Sequence, residues 1–301
     1  MTEIEVEICK PLLKWVGGKS QIIDKITKKV PVTMENYYEL FLGGGSVLLS
    51  ILSLQKCKKI KINKKIYAYD FNKHLINFYN HVKNNKDEFF QYVMHHLNVY
   101  ANLTGVTINR NPETEEESLS SKESYYYWLR KRYNTMDVNS IEHSALFLFL
   151  NKTCFRGMYR ESSNGFNVPY GHYKKTPTII TESHLNEISN LIQNVEFIHS
   201  DFRDSIKTIK KGDFVYLDPP YVPENSTSFV GYVADGFTQQ MHETLFSEIK
   251  KMDGVKFILS NSKVDMVLES FTGYNCEDIQ ARRAINSKNP AATATEVIIY
   301  N

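Results

Sequence analysis

The residues best suited to chemistry lie in one short run, Leu217-Asp218-Pro219-Pro220-Tyr221. Phe214, Val215, Tyr216 and Leu217 read as a short buried strand. The strand must stop at Pro219, because proline cannot donate to a sheet ladder. Each proline also drives the residue before it toward extended backbone. The Asp218 carboxylate and the Tyr221 ring are therefore carried on a stiff turn at the carboxyl end of a strand, where open α/β sheets bind ligands. The carboxylate and the free carbonyl of Pro219 both accept hydrogen bonds from an amino group, and a tyrosine face can stack on a planar ring. Asp218, Pro219, Pro220 and Tyr221 thus form a candidate catalytic clamp for a planar amine.

The elements around the clamp must position it. The segment Lys14-Trp15-Val16-Gly17-Gly18-Lys19 precedes an amphipathic helix with Ile22, Ile23 and Ile26 on one face. A glycine pair before a helix lets backbone approach a ligand, or is an ordinary loop leading into a helix. Tyr37 to Phe41 reads as a strand, Leu42-Gly43-Gly44-Gly45-Ser46 as a glycine turn, and Val47 to Leu54 as the start of a helix. This is the opening of a nucleoside-binding unit, although it is neither G-x-G-x-x-G nor a P-loop. Ile66 to Asp70 forms a second strand ending in an acid, placed either to take ribose hydroxyls or to cap a helix. Val195 to Ile198 is a third strand, with Asp201 just beyond its end. Thr238 is set to cap a helix running to Ile249, and Val255 to Leu259 and Glu296 to Tyr300 complete the strands. Residues 1–10 alternate in polarity and read as a loose arm or edge strand.

Between these α/β stretches, residues 73–152 turn helical, with an acidic, serine-rich surface loop expected at 111–122. Then follows a basic and aromatic run, Asn151 to Arg160, and an Asn164-Gly165 pair that signals a hairpin. Arg156 and Arg160, with Met158 as an apolar tip, suit insertion into a nucleic-acid groove, or belong to an exposed loop whose arginines fall there by chance. The 301 residues carry a net charge of only +2, so the positive charge is local, in runs such as Lys58 to Lys65 and Arg130 to Arg132. Hydrophobic residues at 42% can build a core. The four cysteines are scattered without metal-ligand spacing, which favours reduced thiols. No apolar run spans a membrane, and no signal peptide opens the chain.

Taken in order, eight segments resemble the Dam-type DNA adenine methyltransferases, the D12 class in the alpha arrangement. They are Lys14 to Lys19, Glu39 to Gly45, Asp70 to Asn72, Asn167 to Gly171, Asp201-Phe202, Asp218 to Tyr221, Phe229 to Tyr232 with Phe237-Thr238, and Ile285-Asn286-Ser287-Lys288. The resemblance implies a Rossmann-like α/β sheet that uses S-adenosylmethionine, with an inserted helical and β-hairpin recognition domain. Expected boundaries are 1–80 and 186–301 for the catalytic domain and 81–185 for target recognition. It implies cofactor contacts at Trp15, Gly17, Gly18, Lys19, Phe41, Gly43, Gly44, Asp70, Asp201, Phe202 and Asp218, and no metal. It implies DNA contacts at Lys14, Arg156, Met158, Arg160, Asn167, Pro169, Asn286 and Lys288. The target adenine would be flipped from the duplex, its amine donating to Asp218 and to the Pro219 carbonyl while its ring stacks on Tyr221.

The site implied is GATC in double-stranded DNA, although Lys152 to Arg156 departs from the bacterial pattern. Expected partners are DNA and, in a restriction–modification role as opposed to a solitary one, a cognate restriction endonuclease, for a monomer or weak dimer acting inside the cell, in cytoplasm or nucleoid, or in a host cell or virion. Other readings keep the same clamp for cytosine-N4, for RNA adenine or for a protein glutamine. A different class of reading is a catalytically silent DNA-binding relative.

Overall fold

In a computed structural model of the chain, residues 6–223, 236–282 and 293–301 are described. The chain divides into two compact units. The first comprises the described parts of residues 1–10, 17–72 and 194–301, and the second residues 11–16 and 73–193.

The first unit is built on a seven-stranded sheet. Its strands are β1 (Tyr37–Glu39), β2 (Ile66–Asp70), β3 (Val195–His199), β4 (Phe214–Leu217), β5 (Lys256–Ser262), β6 (Asn275–Arg282) and β7 (Thr293–Tyr300). Their spatial order is 6-7-5-4-1-2-3. The five strands from β5 to β3 run parallel, and β7 lies antiparallel to both β5 and β6. All three residues of β1 and all four of β4 are buried, as expected of parallel strands covered on both faces.

From β1 the chain builds outward through β2 to β3, then returns to the other side of β1 to start β4. The strand order therefore reverses between β1 and β4, and the carboxyl ends of those strands open onto the crevice where open sheets take ligands. Val215, Leu217, Leu259 and Val297 from the sheet pack with Leu245, Phe246 and Ile249 of the helix Gln239–Lys250. Thr238 caps that helix as expected, its hydroxyl accepting from Met241 N at 3.2 Å.

The helix expected at Ile22 to Ile26 is shorter than its apolar spacing suggests, a 3-10 turn Lys19–Gln21 followed by Ile23–Thr27. The described part of the N-terminal arm, residues 6–10, forms no strand. Residues 1–5 and the motif segments around Phe229 to Tyr232 and Ile285 to Lys288 lie outside the described residues.

The second unit is helical. Its centre is the helix Ile141–Thr153, buried from His143 through Asn151. The helices Lys73–Asn84, Lys86–Asn102 and Lys122–Thr135 pack on it. Ser140 and Ser121 cap two of these helices, each hydroxyl accepting a backbone N–H at 3.1 Å. Part of the segment expected to be loop, Glu115–Ser118, is a helical turn, because Thr114 caps it through Glu117 N at 3.2 Å.

The hairpin is present as Glu161–Ser162 paired with Gly165–Phe166. Its loop is one residue off the expected Asn-Gly centre. Ser163 and Asn164 make the turn, and Gly165 takes the left-handed φ of +85°, as in a loop closed by a glycine bulge. Met158, expected at the tip, instead lies ahead of the first strand. It leaves a 3-10 turn at Phe155–Gly157 whose Arg156 and Gly157 have φ of +56° and +66°. Two successive left-handed residues reverse the chain there, so the tip falls at Ser163 and Asn164.

Candidate active site

β4 delivers Asp218 to the crevice, and the residues after it are held from β5. The amide of Val222 donates to Asn261 Oδ1 at 3.0 Å, and Ser262 Oγ donates to the Val222 carbonyl at 2.5 Å. Asn261 is fully buried, and its Oδ1 also accepts from Ser262 N at 2.9 Å. The Tyr221 hydroxyl donates to Glu296 Oε2 on β7 at 3.0 Å. The Asp218–Tyr221 turn is thus clamped by two neighbouring strands. The strand-end Ser-Asn-Ser was the available sequence signal for Asn261 and Ser262. Glu296 had none, because its role depends on β7 inserting beside β5.

Lys19 enters the same pocket. Its side chain is only 5% exposed, and Nζ lies 2.6 Å from Asp218 Oδ2. It also donates to the Gly17 carbonyl at 2.5 Å and sits 5.1 Å from the centre of the Tyr221 ring. Asp218 Oδ1 is buried and has no hydrogen-bond partner among the described residues. Burial pushes the Asp218 carboxyl above the ordinary aspartate range, and the Lys19 ammonium opposes that push.

Beneath the clamp, Glu39 of β1 is 1% exposed and accepts from the Tyr37 hydroxyl at 2.6 Å. Burial drives its carboxyl up to about 8; the Tyr37 hydrogen bond works against this, and the charges of Asp218 and Asp70 add to it.

The glycine turn after β1 meets the end of β2. Asp70 Oδ2 accepts from Gly43 N at 2.9 Å and Oδ1 from Asn72 N at 2.8 Å. Asp70 is therefore not the N-cap of the following helix; it braces the glycine turn. Burial raises its pKa, opposed by these two N–H donors. A carboxylate has about four acceptor sites, so Asp70 retains capacity for hydroxyl donors. Phe41, Phe202 and Phe237 form an apolar wall, with ring centres 5.5 to 6.0 Å apart. Asp201, at the other end of that wall, caps its own short helix and is held by Arg203. Oδ1 accepts from Arg203 N at 2.8 Å and Nε at 2.9 Å, and Oδ2 from an Nη at 2.6 Å. The Arg203 hydrogen bonds hold its carboxyl below the usual range. Arg203 was not expected, although its place two residues after a strand-end acid was readable.

The model of the D12 class N6 adenine-specific DNA methyltransferases matches residues 15–285. The chain belongs to this family. It is 35% identical to the type II methyltransferase M.MjaIII of Methanocaldococcus jannaschii, over 93% of both chains. It is 32% identical to the type II methyltransferase M1.LlaDCHI of Lactococcus lactis, over 97% of this chain and 95% of that one. The DNA adenine methylase of Haemophilus influenzae is 29% identical, over 93% of this chain and 89% of that one.

In this methyltransferase, the residues expected to contact DNA fall in the second unit where they are described. Lys14 exchanges backbone hydrogen bonds with the Asn151 side chain at 2.8 and 2.7 Å, and its Nζ lies 4.9 Å from the Tyr173 ring centre. Arg156 and Arg160 are exposed and Met158 is half-buried. Arg160 donates to Asn167 Oδ1 at 2.7 Å. Pro169 accepts from Phe155 N at 2.8 Å, so Asn167 and Pro169 brace the run that carries the arginines. Trp15 is also in this unit, stacked on Tyr159 with ring centres 5.5 Å apart. Asn286 and Lys288 lie outside the described residues. No helix among the described residues is long and apolar enough to cross a membrane.

Proposed function

We propose that this adenine-specific DNA methyltransferase uses S-adenosylmethionine to methylate N6 of an adenine flipped out of duplex DNA, within GATC. The observation that carries the reading is the buried Oδ1 of Asp218 on a stiff strand-end turn, which has no partner among the described residues. A buried acceptor with no donor is costly, and an incoming amino group would supply that donor. The pocket around it suits an adenine. Tyr221 offers a ring face that Glu296 fixes through the hydroxyl, and the Pro219 carbonyl offers a second acceptor.

The amine of adenine is a poor nucleophile, because its lone pair is delocalised into the ring. Acceptors at Asp218 and Pro219, aligned on its two protons, would favour the pyramidal, nucleophilic nitrogen. This is electrostatic preorganisation, joined to positioning. Bound S-adenosylmethionine would supply an electrophilic methyl group on a sulfonium. Phe41 and Phe202 would flank its adenine, Asp201 its exocyclic amine and Asp70 its ribose hydroxyls. Gly17, Gly18, Gly43 and Gly44 would allow close backbone approach. The apolar wall and the spare acceptor capacity of Asp70 fit such a group. Trp15 remains a candidate contact. Lys19 is a candidate for holding Asp218 ionised. The second unit is proposed as the sequence reader, through Lys14, Arg156, Met158 and Arg160. The action is expected inside the cell, with or without a cognate endonuclease.

The test is plasmid DNA from a methylation-deficient host expressing this chain, digested with enzymes blocked by, or dependent on, methylated GATC. Protection from the first and cleavage by the second is the expected result. Unchanged digestion with methyladenine mapped elsewhere by single-molecule sequencing would overturn GATC and keep the chemistry. No methyladenine anywhere would overturn the proposed reaction.

A further inference from the structure

The run that carries the proposed reading residues is fastened from within the second unit at two points. Along residues 157–161, Gly157 and Tyr159 are buried, while Met158 is half-buried and Arg160 exposed. Residues 157–160 therefore alternate inward and outward like a strand, and Glu161, exposed like Arg160, opens the first strand of the hairpin.

The first fastening is Asn151, near the end of the central helix and 3% exposed. Its Oδ1 accepts from Lys14 N at 2.8 Å, and its Nδ2 donates to the carbonyls of Lys14 at 2.7 Å and Gly157 at 3.3 Å. One buried amide thus joins the N-terminal segment to the 3-10 turn. Gly157 fits because it lacks a Cβ. A Cβ there would lie 2.6 Å from Lys14 Cβ.

The second fastening is a pair far apart in sequence. His74 Nε2, in the first turn of the helix Lys73–Asn84, lies 3.2 Å from Glu161 Oε1. The His74 ring stacks on His143 at 5.0 Å, and His143 on Tyr133 at 4.2 Å. Burial acts to raise the Glu161 carboxyl, but hydrogen bonds from His74 and Tyr159 hold it below the usual glutamate range. Between the two fastenings, Tyr159 is packed between Trp15 and Phe166, with ring centres at 5.5 and 5.7 Å.

We propose that Asn151 and the His74–Glu161 pair are positioning residues for sequence discrimination. They fix Lys14, Met158 and Arg160 in one register, so that three outward groups meet DNA as a unit. None of the fastening groups needs to touch DNA. Their effect comes through the backbone they hold, since a misplacement of about 1 Å is enough to lose a directional contact. The inference rests on the proposed role of this unit as the reader.

The test is steady-state methylation of two duplexes, the site the wild type prefers and the same duplex with one base pair of the site changed. The variants are Asn151→Ala, His74→Ala and His74→Gln. Asn151→Ala and His74→Ala should each lower the ratio of kcat/KM between the duplexes by roughly tenfold, mainly through KM, with kcat on the preferred duplex nearly unchanged. His74→Gln can still donate to Glu161 and should keep the ratio. Unchanged discrimination in folded Asn151→Ala and His74→Ala overturns the inference. If Asn151→Ala does not fold, Gly157→Ala strains the same contact from the other side, and retained discrimination in that variant overturns the Asn151 role. A wild type with no preference between any duplexes would overturn the reader role itself. A selective wild type with equally selective variants overturns only the positioning role.

Discussion

The clamp around Asp218 and the reading run around Arg160 solve opposite problems. At the clamp nearly every polar group is buried and partnered. Asn261, Ser262 and Glu296 hold the turn, Lys19 covers one Asp218 oxygen, and the other oxygen, like Asn261 Nδ2, is left open among the described residues. In the reading run Gly157 and Tyr159 are buried, and the cations at 156 and 160 face out. A buried acceptor keeps its strength because little solvent screens it. An exposed arginine is worth little until DNA displaces its water and counterions. Catalysis and recognition therefore have different signatures under mutation and under salt.

The largest effect should come from the clamp. Asp218→Ala is expected to cut methyl transfer by at least about 10³-fold, comparable to or beyond the loss of one preorganised electrostatic contact. Cofactor binding measured by equilibrium dialysis should remain detectable, and the salt dependence of DNA binding should not change. Retained turnover above about a tenth of wild type in a tritium-transfer assay would be incompatible with electrostatic catalysis at this position.

The contrast sharpens at Arg160. Arg160→Ala should cost about 1–3 kcal/mol of discrimination if the guanidinium reads a base edge. If it contacts a phosphate instead, affinity should fall evenly across sequences and the slope of log affinity against log salt should weaken by about 1. A fall in kcat alone, with neither change, would remove Arg160 from the reading set. The Asn167 side chain that holds it in the free protein would be its partner to displace.

The two regions also differed in how readable they were. The clamp was legible because proline and glycine leave little choice of backbone. Strand β4 ends at Leu217, just before Asp218, because Pro219 stops it, and β2 ends on the acid that braces the glycine turn. Of the groups that stiffen the clamp, Asn261 and Ser262 left only a strand-end Ser-Asn-Ser and Glu296 left nothing, because they come from β5 and β7, strands distant in sequence whose pairing no local pattern reports. The same holds for Lys19, placed on Asp218 across nearly 200 residues of chain. In the second unit the hairpin was visible from Asn164-Gly165, yet Met158 was misplaced at its tip. The left-handed turn at Arg156 and Gly157 uses an arginine where glycine or asparagine would be the usual signal. The His74–Glu161 pair left no trace, since it is set by packing of a helix against a distant strand.

Lys19 offers a finer test of the buried side of the comparison. Its ammonium favours the ionised form of Asp218, against burial. Lys19→Gln removes that support, so the Asp218 pKa should rise further. The acid limb of the kcat/KM profile should move to higher pH, with activity at high pH less affected. An acid limb that stays in place would mean that Asp218 does not set it. The exposed arginines should leave that limb where it is.

The smallest effect on the reaction itself is expected beneath the clamp at Glu39, where the readout is stability. Its carboxyl is buried and driven up to about 8 in the folded chain, against roughly 4.3 in an unfolded one. A group whose pKa is raised by folding binds its proton more tightly in the folded state. Its support for folding is therefore full below pH of about 4. It is lost progressively as pH rises toward the folded value, and the loss is complete above it. Glu39→Gln keeps an acceptor for the Tyr37 hydroxyl and removes the titration. Its Tm should gain on wild type as pH rises from about 5 to about 9, since a shift of one pKa unit is worth about 1.4 kcal/mol. For a chain of this size about 1 kcal/mol corresponds to a few degrees of Tm. Parallel Tm curves for the two proteins would show that Glu39 does not carry a raised pKa in the fold. A gain of Glu39→Gln on wild type with rising pH would show that burial, with the Asp218 and Asp70 charges, keeps an acid neutral under the clamp.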